Sequence, residues 1–291
     1  MNHIYLIDHG TNIHDLVRAI RKIITETHWR EHMVAKTQLG HLNDYSRDQM
    51  TTHVVWLSGG KDSTAMALRL AELHPETDWR YVCTPTGDEL PDVLLHWAKL
   101  ECLLGKPLEK VTHKLDLNAL ISEMNALPSW RMRWCTRMLK IETAIAWYAK
   151  NAPCVAYVGL RADEPERQGG IFGDSVEQRY PMREWGWGLA DVQRYLAERG
   201  VAIPKRTDCA RCPYQRLGDW WELWKEYPDY YASAETQEAD VGHTFRSDGR
   251  DTWPADLKGL RLRFERGDVP RGVELNGDLF GTVEACRACS L

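Results

Sequence analysis

Between residues 58 and 63 the chain reads Ser-Gly-Gly-Lys-Asp-Ser, with a short apolar, β-branched run before it (His53 to Leu57) and a helical pattern after it (Thr64 to Leu73). A strand that runs through two glycines into a helix turns backbone N–H groups toward the helix N-terminus, where glycine lets an anion approach and the helix dipole favours negative charge. Phosphate suits that arrangement. Ser58 and Ser63 add hydroxyl donors, Lys61 adds a charge, and Asp62 is placed to cap the helix or to hold a magnesium-bound water. The adjacency of Gly59 and Gly60 separates the loop from a Walker A motif, whose first glycine is spaced well away from its Gly-Lys pair.

Cysteines form a second constellation. Cys209 and Cys212, in "DCARCPYQ" at 208–215, are spaced so that both sulfurs can reach one ion, and Cys286 with Cys289 repeats the spacing in "VEACRACSL" at 283–291. Four thiolates from these two pairs would make a closed zinc site that pins the tail. Cys83, Cys102 and Cys154 fall in apolar strand or helix patterns and read as small buried hydrophobes. Charge is the third feature. Arg131, Arg133, Arg137 and Lys140 occur within ten residues with no acid among them, while Arg161 and Arg167 bracket Asp163 and Glu164. Guanidinium forks suit phosphate or sulfate. Asp88 and Glu89 follow a strand pattern, placed for a magnesium or ribose contact or for capping a helix. "KGLRLRFER" at 258–266, with the aromatic stretch "GDWWELWKEYPDYY" at 218–231, reads either as a stacking, phosphate-tracking surface or as core.

The elements that must position these residues alternate. Strand patterns at His53 to Leu57, Trp79 to Thr84, Lys110 to His113 and "CVAYVGL" at 154–160 are separated by helical patterns at Thr64 to Leu73, Leu94 to Leu104, Leu117 to Met124 and Met138 to Ala149. Such alternation predicts an α/β fold with a parallel twisted sheet, flanking helices and ligands at the carboxyl ends of the strands. Residues 1–50 read as a helical segment, with Ile13, Leu16, Val17, Ile20, Ile23 and Ile24 at helical spacing; 51–170 as the nucleotide-binding α/β domain; and 171–291 as a loop-rich subdomain, carrying cysteines and tryptophans, packed on the sheet. A chain of 291 residues that is 43% hydrophobic can bury a full core, and a net charge of -5 argues against holding nucleic acid by global charge. The N-terminus has no basic region leading an apolar core, and no apolar run approaches the roughly 18 residues of a membrane span. A cytoplasmic protein without membrane contact is expected, in which eight cysteines point to metal or redox chemistry before disulfides.

Four ordered segments, "SGGKDS", "TPTGDELPD" at 84–92, "RWCTRMLK" at 133–140 and "YVGLRADEPER" at 157–167, extended by "DCARCPYQ", resemble the PP-loop ATP pyrophosphatase superfamily and in particular its phosphoadenosine phosphosulfate (PAPS) reductase-like branch. The resemblance implies an adenine nucleotide α-hydrolase-like fold, a nucleotide held over Ser58, Gly59, Gly60, Lys61, Asp62 and Ser63 with Asp88 and Glu89 nearby, and chemistry at its α-phosphate. Lys61, Asp62, Arg161 and Asp163 are then the expected catalytic residues, and Arg133, Arg137 and Arg167 the expected substrate ligands. It also implies a cluster ligand at Cys135, so that Cys135, Cys209 and Cys212 with Cys286 or Cys289 would hold a [4Fe-4S] cluster, the alternative to zinc. True PAPS reductases differ in the Lys-Asp-Ser portion and carry a Glu-Cys-Gly tail, neither of which this chain matches. ATP with Mg2+ is therefore the expected nucleotide. Three functions follow: adenylation-linked sulfur transfer, with a sulfur donor protein and tRNA or DNA as acceptor; a PAPS or adenylylsulfate reductase with a thioredoxin-like reductant; and a nucleotide-binding regulatory protein without turnover.

Overall fold

The computed structural model describes residues 51–170 and 173–273. The helix expected within residues 1–50 and the tail pair Cys286 and Cys289 lie outside the described residues. Five strands, β1 (Thr52–Trp56), β2 (Trp79–Cys83), β3 (Leu108–Lys110), β4 (Cys154–Tyr157) and β5 (Val176–Arg179), make one parallel sheet in the order β3-β2-β1-β4-β5. The order runs outward in both directions from β1, so β1 and β4 meet where the winding reverses.

Alternation along the strands sorts side chains into two layers. Val54, Val82 and Ala156 pack with Trp147 and Tyr148 on one face, whereas Val55, Tyr81, Val155 and Tyr157 join the larger core on the other. That larger core is closed by α1 (Lys61–Leu73), α2 (Pro91–Leu104) and α3 (Leu117–Met124). Then comes α4, a turn at Trp134–Thr136, a π-helical stretch at Arg137–Glu142 and a regular run at Thr143–Asn151; Trp134 and Leu139 join the larger core, and the regular run covers the opposite face with Ala144, Trp147 and Tyr148. Beyond β5 come α5 (Pro181–Glu184), α6 (Leu189–Glu198), α7 (Leu217–Glu226), α8 (Pro228–Val241) and α9 (Leu257–Glu265).

Several sequence expectations shift. β3 occupies Leu108–Lys110 instead of 110–113, because Leu108 pairs with Tyr81 and is buried there, while the chain leaves the sheet after Val111 donates to the Cys83 carbonyl. Helix α2 begins at Pro91, whose fixed φ suits a first helical position. The α4 segment begins at Trp134, not Met138. β5 was not expected: four residues with polar Glu177, Gln178 and Arg179 at a sheet edge leave no apolar run to read, and they carry the sheet past residue 170. The part beyond Gly200 is loop-rich but also holds three helices, α7 to α9. Its aromatic stretch is core: Trp220, Trp221, Tyr231 and Phe264 are buried, and the Tyr231 ring meets those of Trp220 and Phe264. The stacking surface considered for those residues is not there.

Candidate functional site

The Ser58–Ser63 loop leaves β1 at its carboxyl end beside β4, the place in an open parallel sheet where a ligand has room. Gly59 adopts φ +85°, and a Cβ on it would lie 2.8 Å from Trp97 Nε1. Only glycine combines that backbone with that contact. A Cβ on Gly159, which follows β4, would lie 3.1 Å from the Ser63 nitrogen, so the β4 end also presses on the loop. The loop is braced internally: the Gly60 N–H donates to Ser58 Oγ at 3.3 Å, the two serine hydroxyls are 3.1 Å apart, and Ser63 Oγ donates to the Gly60 carbonyl at 3.2 Å. Gly60 is the N-cap of α1 with no side-chain cap, which leaves the helix start open to an anion. Lys61, at the first helical position, is only 4% exposed. Behind it Thr64 Oγ1 shares a 3.0 Å hydrogen bond with His96 Nε2, and burial pushes the His96 imidazole down to about 4.

Arg161, 6% exposed, reaches across from the β4 end. Its Nη1 donates to both Asp62 oxygens at 3.2 and 3.0 Å, its Nε to Asp163 Oδ1 at 2.8 Å and its Nη2 to Glu164 Oε1 at 2.8 Å. Asp163 also accepts from the Leu189 N–H at 2.9 Å, and Arg167 donates to Glu164 at 2.7 Å. Burial pushes the Asp62 carboxyl up, against the pull of Lys61 and Arg161. Arg161 thus clamps Asp62 and is itself held by Asp163 and Glu164, with Arg167 joined to the group through Glu164.

Asp88 and Glu89 are likewise occupied. Asp88 Oδ2 accepts the Arg211 N–H at 2.9 Å, and the Arg211 side chain donates to Asp88 Oδ1 and, at 2.6 Å, to Ser233 Oγ. Burial pushes the Asp88 carboxyl up to about 6, opposed by the guanidinium. Glu89 accepts from the Thr86 N–H at 2.6 Å, the Thr86 hydroxyl at 2.7 Å and the Gly87 N–H at 3.0 Å, while its backbone bridges to Cys209. The Asp88 carboxylate and the Glu89 backbone fasten the Cys209–Cys212 turn to the loop after β2, while the Glu89 carboxylate braces that loop from within. A Cβ on Gly60 would lie 3.7 Å from Thr207 Oγ1, so the chain entering that turn passes beside the Ser58–Ser63 loop.

Cys135, Cys209 and Cys212 line one small pocket, partly open to solvent, together with Thr136, Lys140 and Tyr214. Burial raises all three thiols, Cys212 to about 12, with Lys140 pulling the other way. The three residues thus line the same pocket, and thiolates are donors that suit iron or zinc. Among the described residues no three Cys, His, Asp or Glu side chains stand close enough to grip a metal as they are. Cys83 and Cys154 are buried in the strands, Cys102 half-buried in α2. Arg137 pairs with Glu142 at the surface at 3.5 Å, and Arg133 lies with its guanidinium 5.3 Å from the Tyr214 ring centre. Neither joins the Arg161 clamp. Sequence reasoning missed Arg211, Thr86 and Tyr214; Arg211 sits between the two cysteines of "CARC", where nothing local announces a partner at Asp88.

No helix among the described residues is long and apolar enough to cross a membrane. No curated protein matches the chain. Among solved structures the chain is similar to phosphoadenylyl-sulfate (PAPS) reductase from Candida auris, crystallised as a phosphate complex, with 13% identity and a TM-score of 0.45 over 70% of this chain and 92% of that one. The sequence profile of the phosphoadenosine phosphosulfate reductase domain matches residues 52–222, more than half of the chain. That span begins with β1, contains the Ser58–Ser63 loop, the Arg161 clamp and all three pocket cysteines, and ends in α7; the chain belongs to the phosphoadenosine phosphosulfate reductase domain family.

Proposed function

We propose that this chain is an ATP-using enzyme that activates an acceptor oxygen by adenylation and then places sulfur where that oxygen stood. The observation that carries the reading is the open start of α1 at the sheet's reversal point, with Lys61 buried at its first position and Ser58 and Ser63 beside it. ATP with Mg2+ would lie over this PP-loop. The N–H groups of the loop and the Lys61 charge would stabilise the α-phosphate as it gains negative charge. The acceptor oxygen attacks the α-phosphorus, the α–β bridge breaks and pyrophosphate leaves. A hydrosulfide equivalent from a sulfur-donor protein then attacks the activated carbon, the carbon–oxygen bond breaks and AMP departs with the oxygen. Arg161 and Asp163 serve this chemistry by fixing Asp62, the residue best placed to order a magnesium-bound water.

Cys135, Cys209 and Cys212, with Cys286 or Cys289, would hold a [4Fe-4S] cluster that handles sulfur or electrons beside the nucleotide, zinc being the alternative occupant. Family membership favours a second reading, a sulfonucleotide reductase, in which a thiolate attacks the substrate's sulfur, the nucleotide leaves and a thioredoxin-like protein reduces the resulting S-sulfocysteine. Burial holds the three pocket thiols protonated, so that reading needs Cys286 or Cys289 as its nucleophile.

Thermal shift separates the two. ATP with Mg2+ should raise the melting temperature by several degrees and PAPS should not, and Lys61→Ala should erase the ATP shift. A larger shift with PAPS, and turnover with a thiol donor that Cys286→Ser or Cys289→Ser abolishes, would select the reductase. Iron and sulfide analysis of anaerobically purified protein, with Cys135→Ser losing the iron, tests the cluster; stoichiometric zinc indifferent to Cys135→Ser would replace it with the closed structural site.

A further inference from the structure

The loop that joins α3 to α4 exposes two large apolar side chains next to the cysteine pocket: Trp130 is 54% and Met132 62% exposed. Each neighbouring arginine lies against an aromatic ring. The Arg131 guanidinium is 4.7 Å from the centre of the Trp130 ring, and that of Arg133 is 5.3 Å from the centre of the Tyr214 ring. Tyr214 Oη donates to the Trp130 carbonyl at 3.5 Å, which ties the two pairs side by side, and Tyr214 also lines the pocket that holds Cys135 and Lys140. From Asn125 to Ile141 the chain has no acidic residue, although its net charge is -5. Among the described residues Arg131 makes no ion pair.

We propose that this platform docks a single-stranded nucleic acid, with bases stacked on Trp130 and Tyr214 and phosphates on Arg131 and Arg133, and leads the strand to the cysteine pocket. A guanidinium on one face of a ring leaves the other face for a base, and base stacking of this kind tolerates any sequence. An apolar protein partner would strip water from the Arg131 guanidinium without pairing it, whereas a polyanion supplies the phosphate that a guanidinium suits. A duplex keeps its base faces paired and stacked, so the exposed Trp130 ring selects the single strand. The purpose of docking rests on the adenylation reading, since the bound strand would then be the acceptor; the docking itself does not.

The test is fluorescence anisotropy of a labelled, mixed-sequence oligonucleotide of roughly 16 nucleotides, titrated with the full chain over a range of salt. Binding should weaken steeply with salt. Trp130→Ala should reduce affinity about tenfold with the melting temperature unchanged, because the ring is exposed. Arg131→Ala combined with Arg133→Ala should flatten the plot of log affinity against log salt by about 0.7 for each phosphate that is no longer neutralised. Absence of binding at low salt, equal affinity for the matching duplex, or indifference to Trp130→Ala overturns the proposal, as does Trp130-dependent binding of a thioredoxin-like protein without any oligonucleotide binding. Lys61→Ala should leave the oligonucleotide affinity intact, so failure of the nucleotide reading and failure of this one are distinguishable.

Discussion

Two sets of arginines that look alike in the sequence end in opposite surroundings. Arg161 and Arg211 are buried, the first among Asp62, Asp163 and Glu164, the second on Asp88 and Ser233. Arg131 and Arg133 lie on aromatic rings, and Arg137 meets Glu142 at the surface. All five lie on or beside the cysteine and strand-end motifs, and all five forks could hold phosphate. What separates them is the number of acids the fold delivers. Arg161 meets Asp62 from 99 residues away, and Arg211 meets Asp88 from 123 away, because β1, β2 and β4 bring their carboxyl ends to one edge. A guanidinium whose charge is spent in this way positions other groups; one that lies on a ring, as Arg131 does, keeps its charge for a ligand.

The contrast is sharpest at Arg211. Removing one partner of a buried ion pair leaves the other uncompensated, so Arg211→Met should cost about 3–5 kcal/mol in denaturant unfolding. The Cys209–Cys212 turn should loosen as well, since Asp88 also accepts the Arg211 backbone N–H. A cost below about 1 kcal/mol would mean that burial does not separate the two sets. Arg161→Met should cost about 2 kcal/mol, less because Asp163 is partly solvated, and should weaken the nucleotide's thermal shift by freeing Asp62. Full retention of that shift would break the link between clamp and loop.

Burial without a countercharge gives a pH-dependent version of the same argument. His96 lies behind the Ser58–Ser63 loop, bonded to Thr64, with its imidazole held down to about 4, from an ordinary 6.5, chiefly by desolvation. Between those values the unfolded chain binds a proton that the folded chain does not. The contribution to stability is therefore complete above about pH 6.5 and is lost as pH falls toward 4, by up to about 3 kcal/mol. Comparing the melting temperatures of the wild type and His96→Gln across that window isolates the effect from other titrating groups. The wild type should lose more on acidification; parallel curves would show that the histidine titrates without regard to burial.

The alternation of apolar strands and helical patterns made the parallel sheet and the strand–loop–helix passage at Ser58–Ser63 legible, because each is encoded within about ten residues of itself. The meeting of Cys135 with Cys209 and Cys212 was legible only through motif resemblance, since no local pattern joins residues that far apart. The roles of Asp88, Glu89 and Arg161 were not legible: a carboxylate after a strand reads the same whether it meets a magnesium ion or a distant arginine. β5 escaped because an edge strand of Val176, Glu177, Gln178 and Arg179 has too few apolar positions. The aromatic stretch of α7 read either as a stacking surface or as core for a related reason. Trp220, Trp221 and Trp224 recur at spacings that a helix buries as readily as it displays.

The exposed set should show the smallest effect, and that smallness is itself the test. Arg137 and Glu142 are 3.5 Å apart with side chains 65% and 55% exposed, a geometry in which water and salt screen most of the attraction. Arg137→Ala should therefore change unfolding free energy by no more than about 0.5 kcal/mol, and Arg131→Ala by a similar amount, since it gives up one exposed ring stacking. Adding salt should shrink even that difference for Arg137. A cost above about 1 kcal/mol at either position would place it with the buried set and remove the reason for reading the Trp130 loop as a binding surface. A negligible cost, beside a large one at Arg211, would leave these arginines on the surface for a purpose that stability does not explain.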